Sequence, residues 1–245
     1  DTDSYYPAAM LPLLPGIKTT LIMSDPDSSF GTERAFFLKK LRLSMLIPGI
    51  IVFMMWLLKI SELLFELDPT RLGIFPLSVK GLPGIIFSPF IHSGFRHLFN
   101  NTLPLFFLGS ALFYFYSGIA VRVSLWTWFL TGLSVWLAGR PAWHIGASGL
   151  IYGLASFLFF SGILRKYFRL VALSLLIVFL YGSMVWGIFP DIYQDVSWES
   201  HMLGFISGII LSVVYRKEGP QQPVIEWPEE DECEEEGGEK SPESC

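Results

Sequence analysis

The sequence predicts an all-α membrane protein of about six spanning helices, taking roughly 20 apolar residues as the length that crosses the hydrocarbon. Three observations carry that prediction. Of the 245 residues, 52% are hydrophobic and 16% charged, and the mean hydropathy is +0.50, too apolar for an ordinary soluble domain. The apolar residues gather into long runs almost free of charge, which marks membrane spans. Polar motifs stand at the mouths of three of those runs, where Asn101, Ser148 and His201 are costly and therefore point to a functional site.

In chain order, residues 1–33 contain proline and acidic groups without a basic start or compact apolar core, and read as an N-terminal extension with no cleavable signal. Residues 34–217 form the membrane domain, with spans near Leu43–Leu64, Arg96–Tyr116, Arg122–Ala138, Ala147–Leu164, Leu170–Ile188 and Ser200–Tyr215. A long first external loop follows the first span, and the fourth span is a short central helix bearing Ser148. Arg34, Lys39, Lys40 and Arg42, then Arg122, then Arg165, Lys166 and Arg169, then Arg216 and Lys217 all fall on one side. That side is expected to be cytoplasmic, in a cell (inner) membrane, with both termini inside. The other side holds Lys59, Arg71, Lys80, Arg96 and Arg140.

Residues 218–245 carry eleven acidic residues against the lone Lys240 and read as a solvated, disordered cytoplasmic tail. Cys233 and Cys245 lie in it, where a structural disulfide is not expected. No Cys or His pair has ligand spacing, so no metal is expected. Neither a cofactor nor a nucleic-acid partner is expected. The partners are the lipid bilayer and other membrane proteins.

Helix lengths place the polar residues at one depth. Counted from Leu164, Tyr215 and Tyr116, which lie ahead of Arg165, Arg216 and Arg122, the helices reach Gly149, His201 and Asn101 after about 24, 22 and 24 Å at 1.5 Å per residue. The hydrocarbon is about 30 Å thick. All three positions thus stop short of the outer surface at similar height. The segment Arg140–Ala147 must then dip inward as irregular chain, which membranes tolerate only where protein or water satisfies the backbone. A wet cavity there would hold the water that a hydrolase consumes.

Gly149 and Gly153 on one helix, and Gly204 and Gly208 on another, form Gly-xxx-Gly patterns that let backbones approach closely. His201, Gly204 and Gly208 share a face at helical spacing, and Ser148 lies four residues before Tyr152 beside the other glycines. Meeting of the two glycine faces would bring Ser148 and His201 within hydrogen-bond range.

These elements resemble the rhomboid family of intramembrane serine proteases: His97-x-x-x-Asn101, Gly146-x-Ser148-Gly149 followed by Tyr152, and His201-x-x-Gly204-x-x-x-Gly208. The resemblance covers roughly residues 89–215 and implies a six-helix bundle. It implies Ser148 as nucleophile and His201 as general base. It further implies an oxyanion hole of His97, Asn101 and the Ser148 backbone N–H, and a ring stack of Tyr152 on His201. Two departures stand out. The loop of residues 68–88 has no Trp-Arg pair, and Phe107–Phe113 lacks the glutamate common at that point of the second span.

Serine needs a base to become a nucleophile, and histidine suits that task near neutral pH. Peptide cleavage would pass through an acyl-enzyme on Ser148, with His201 returning the proton to the leaving amine. No third residue orients His201: Asp191, Asp195 and Glu199 read as loop and surface groups, which leaves a dyad. His144 is a rival base, disfavoured because no second span anchors it opposite the serine. His92 reads as a loop or water contact. The implied substrates are single transmembrane helices that unwind easily, with motion of the fifth span or its flanking loop as the gate. The competing readings are a non-catalytic membrane chaperone or adaptor of the same fold, and a small transporter. Broken helices favour the transporter, but the chain shows no internal repeats.

Overall fold

The computed structural model describes residues 26–190 and 197–221. The chain divides into two compact units, Asp1–Lys40 and Leu41–Cys245, and the site lies wholly in the second. Asp191, Asp195, Cys233, Cys245 and most of the predicted tail lie outside the described residues. Seven α-helices occur among the described residues: α1 Pro26–Leu64, α2 Gly84–Phe87, α3 Phe95–Phe115, α4 Ala120–Ala138, α5 Ser148–Arg165, α6 Phe168–Tyr181 and α7 Trp198–Val214. The only extended pairing among them is an isolated bridge between Ile74 and His144. The protein is an all-α membrane protein.

Each predicted span has its helix, but the lengths differ. Four helical stretches are long and apolar enough to cross a membrane: Glu33–Leu64 within α1, and α3, α4 and α5. The other two, α6 and α7, are shorter apolar helices. α1 starts well before the predicted Leu43, because hydropathy marks where a helix is apolar and not where it is helical. The predicted fifth span, 170–188, is a composite: the α-helix ends at Tyr181 and a 3-10 segment, Gly182–Ile188, continues it. Tyr181 leaves helical geometry at φ −126°, ψ 7°, immediately before Gly182.

α5 is the centre of the bundle, with 67% of its span buried against 22% for α1. The apolar core runs through Leu98, Leu105 and Leu112 of α3, Val123 of α4, and Ile151 and Phe157 of α5. Phe53, Leu57 and Leu64 of α1 remain exposed, as lipid-facing side chains should. Pro48 within α1 sits against Gly109 of α3, and Trp56 donates from Nε1 to Thr102 Oγ1 at 2.9 Å.

The backbones of α5 and α7 approach closely. A Cβ on Gly204 would strike the Gly149 carbonyl, and one on Gly208 would strike that of Gly153. Only glycine permits that spacing, which is the purpose of paired small residues where helices must touch. At the far end, the buried Arg165 donates to the Tyr215 carbonyl at 2.8 Å and the Arg216 carbonyl at 2.6 Å. It also donates to Ser161 Oγ at 3.0 Å. Carbonyls at a helix C-terminus have no intrahelical partner, so this guanidinium closes α7 onto α5.

The long loop after α1 is anchored on α4. Trp128 Nε1 donates to the Ile85 carbonyl and Trp136 Nε1 to the Ser78 carbonyl, each at 2.9 Å. Irregular chain links Ala138 to Ser148, as expected from the short fourth span.

Candidate active site

Ser148 is the first residue of α5, so its backbone N–H belongs to the unpaired first turn and to the positive end of the helix dipole. Gly146, two residues earlier, has φ +105°, a conformation that side-chain-bearing residues rarely adopt. A Cβ there would also lie 2.7 Å from the His97 ring. The glycine thus bends the chain into Ser148 and leaves room for the imidazole beside it.

His201 is 6% exposed, in the first turns of α7. Its ring stacks on Tyr152 of α5, centroids 4.2 Å apart and planes 12° from parallel. Nδ1 lies 2.9 Å from the Gly187 carbonyl. A carbonyl can only accept, so Nδ1 carries the proton and Nε2 of the neutral ring is the bare, basic nitrogen. Gly187, in the 3-10 segment, lies against both Nδ1 and the Tyr152 hydroxyl. A backbone carbonyl and an aromatic face therefore orient the imidazole without a carboxylate. The sequence could not show this, because a carbonyl leaves no mark in residue type.

Ser148 and His201 stand on the two helices joined by the glycine contact. The hydrogen bond expected between them is not formed among the described residues, where Ser148 Oγ has no bonded partner. Unliganded hydrolases commonly hold such contacts long and tighten them on substrate.

Asn101 of α3 is 5% exposed, and its Nδ2 is a buried donor without an acceptor among the described residues. It lies about 3.5 Å from the point where a Gly146 side chain would begin. His97 lies one helical turn before it, half-buried, with Nδ1 3.3 Å from Ser93 Oγ. The structure therefore gathers His97, Asn101, Gly146 and the start of α5 in one place.

The other histidines are not surface groups. His92 lies in the irregular chain before α3, is 2% exposed and meets His97 edge-on at 4.9 Å. It precedes α3, and burial, aided by the charge of His97, pushes it down to about 3. Lys59 donates to its carbonyl at 3.0 Å and to Glu62 at 2.6 Å. His144 has both ring nitrogens engaged, with the Arg140 carbonyl at 3.0 Å and Ser197 Oγ at 2.6 Å, so it is not poised as a base. Glu199, read as a surface group, is 4% exposed in the first turn of α7. One of its oxygens faces Arg140 Nε at 3.5 Å.

A separate cavity of about 710 Å³ lies between α3 and α6, lined by Phe99, Leu103 and Phe107 on one side and Leu173, Ile177 and Tyr181 on the other. It is an apolar cleft beside the helix that carries Asn101.

A family model described as a Rhomboid domain matches residues 80–218. Uncharacterized proteins of Mycobacterium bovis and Mycobacterium tuberculosis are 36% identical over 165 residues, covering 63% of this chain and 69% of theirs. One from Mycobacterium leprae is 33% identical over 202 residues, covering 77% of this chain and 79% of its own.

Proposed function

Because the chain belongs to the rhomboid family, we propose that it is an intramembrane serine endopeptidase acting through a Ser148–His201 dyad. His201 Nε2 takes the proton of Ser148 as Oγ attacks the scissile carbonyl, and the imidazolium then protonates the leaving amine. Water enters next, deprotonated by the same nitrogen, and frees Ser148.

One observation carries this reading: the buried, unpaired amide of Asn101. A native structure pairs its buried donors. A donor left open beside the start of α5 is matched to an oxyanion that exists only during reaction. The Ser148 N–H and His97 complete that hole.

The substrate is the transmembrane segment of another membrane protein. A helical peptide bond is shielded, so segments with helix-weakening residues unwind into the site more readily. The apolar cleft between α3 and α6 suits the approach of such a segment, with α6 and its 3-10 extension as the moving part. The protein resides in a cell membrane with both termini cytoplasmic, following the basic residues.

The test uses purified protein in liposomes with a reporter carrying one transmembrane helix. Wild type cleaves it and is labelled at Ser148 by a fluorophosphonate. Ser148→Ala and His201→Ala lose cleavage, and Asn101→Ala lowers kcat by roughly a hundredfold to a thousandfold, the scale of one oxyanion donor. Undiminished turnover in either dyad variant would sink the mechanism. A wild type that neither cleaves nor labels would favour the adaptor reading.

A further inference from the structure

His144 lies in the irregular chain before Ser148, is 3% exposed, and takes no part in the chemistry above. Its contacts nevertheless join three separate pieces of the molecule. Through its backbone it pairs with Ile74 of the long loop, N to O at 2.8 Å and O to N at 2.9 Å. Through Nε2, 3.0 Å from the Arg140 carbonyl, it ties down its own loop. Through Nδ1, 2.6 Å from Ser197 Oγ, it reaches the N-cap of α7.

The direction of these bonds is fixed by chemistry. The Arg140 carbonyl accepts, so Nε2 donates, and Nδ1 of the neutral ring accepts from the Ser197 hydroxyl. Ser197 Oγ in turn accepts from the Ser200 N–H at 3.3 Å and meets Ser200 Oγ at 2.6 Å. The Ser197 carbonyl accepts from the His201 N–H at 3.3 Å. A second strut runs parallel, from Arg140 to Glu199 at 3.5 Å. The chain entering Ser148 is thereby fastened to the turn that carries His201.

We infer that His144 is a positioning residue: through Ser197 it locks the segment before Ser148 to the first turn of α7, so that nucleophile and base share one frame. The inference rests on the dyad reading for its effect on rate, but the lock itself has a readout independent of activity. Ser148 and His201 belong to different helices and form no bond at rest. Their distance is therefore set by what surrounds them, and small misplacements at a reacting centre are costly.

The test compares wild type, His144→Ala, His144→Asn, His144→Gln, Ser197→Ala and the His144→Ala/Ser197→Ala double variant, as full chains in detergent. Thermal midpoints establish that each is folded. Removing the imidazole should lower kcat and the rate of fluorophosphonate labelling together, by roughly ten- to a hundredfold, the scale of a misplaced reacting group, with KM unchanged. Asn places an acceptor near Nδ1 and should restore more rate than Gln, which reaches toward Nε2's position. The double variant should lose less than the sum of the two single losses, because the side chains share one bond.

Hydrogen exchange supplies the independent arm. Either single variant should speed exchange in peptides covering residues 140–150 and 197–205 together. Exchange that rises in one segment only, additive losses, or equal rates for Asn and Gln would overturn the lock. If wild type neither cleaves nor labels while both segments still loosen together, the lock stands and the protease reading falls.

Discussion

Tyr152 shows how much a single side chain can decide. Its face lies 4.2 Å from the His201 ring, and with the Gly187 carbonyl it stands where a triad would place a carboxylate. Aromatic pairs contribute about 0.5–1.5 kcal/mol beyond burial, so Tyr152→Ala should lower kcat by roughly two- to tenfold. Tyr152→Phe keeps the stack and should retain most of that rate. Steady-state cleavage of a reporter at saturating substrate separates the two; equal losses would show that the ring face does not orient the base. At this scale the sequence was legible where chemistry needs a particular side chain. Ser148, His201, Asn101 and His97 stood out by type and spacing, whereas the part of Tyr152 was implied by the family resemblance. Gly187 could not be named, because it acts through its carbonyl. Glu199 was misread because a carboxylate in a polar stretch looks solvated until the chain around it folds. Ser197 did leave a signal, a serine immediately before a helical run, but nothing tied it to His144, 53 residues away in sequence.

Among the elements, α5 and α7 determine the site. Their backbones touch at Gly149 and Gly204, and Arg165 fastens their other ends. Gly204→Val would drive a branched side chain into the Gly149 carbonyl and force the helices apart. Overpacking of this kind costs about 1–3 kcal/mol. A lowered thermal midpoint and slower Ser148 labelling are expected, whereas a midpoint equal to wild type would deny the close approach. Helix positions followed from the apolar runs, and the glycine pairs named which helices meet. The composite end of the fifth span was not legible. A 3-10 segment has the same apolar composition as the α-helix it extends, so hydropathy cannot tell one from the other. The reach of α1 beyond its apolar stretch escaped for the related reason that charged residues are good helix formers in water.

At the largest scale, the helices of the second unit pack as a bundle whose exposed apolar side chains suit lipid. The protein's membrane class followed from composition alone, because the bilayer imposes the strictest demand on a chain. The number of full crossings did not follow, since α6 and α7 are shorter than a membrane is thick. Orientation is testable through the two cysteines. With both termini inside, a membrane-impermeant maleimide should label Cys233 and Cys245 in inverted vesicles or after permeabilisation, and not in intact cells. Labelling of intact cells would reverse the assignment and place Ser148 and His201 toward the cytoplasmic side.

The Gly187 carbonyl that holds His201 by Nδ1 belongs to the same stretch of chain that continues α6. Swinging that stretch aside to admit a guest would pull away the acceptor that selects the imidazole's reactive tautomer. Admission and bond-breaking are then mutually exclusive postures of one short coil. Under the proposed protease reading, such an enzyme would idle while its door stands ajar and strike only once it had shut behind the captive strand.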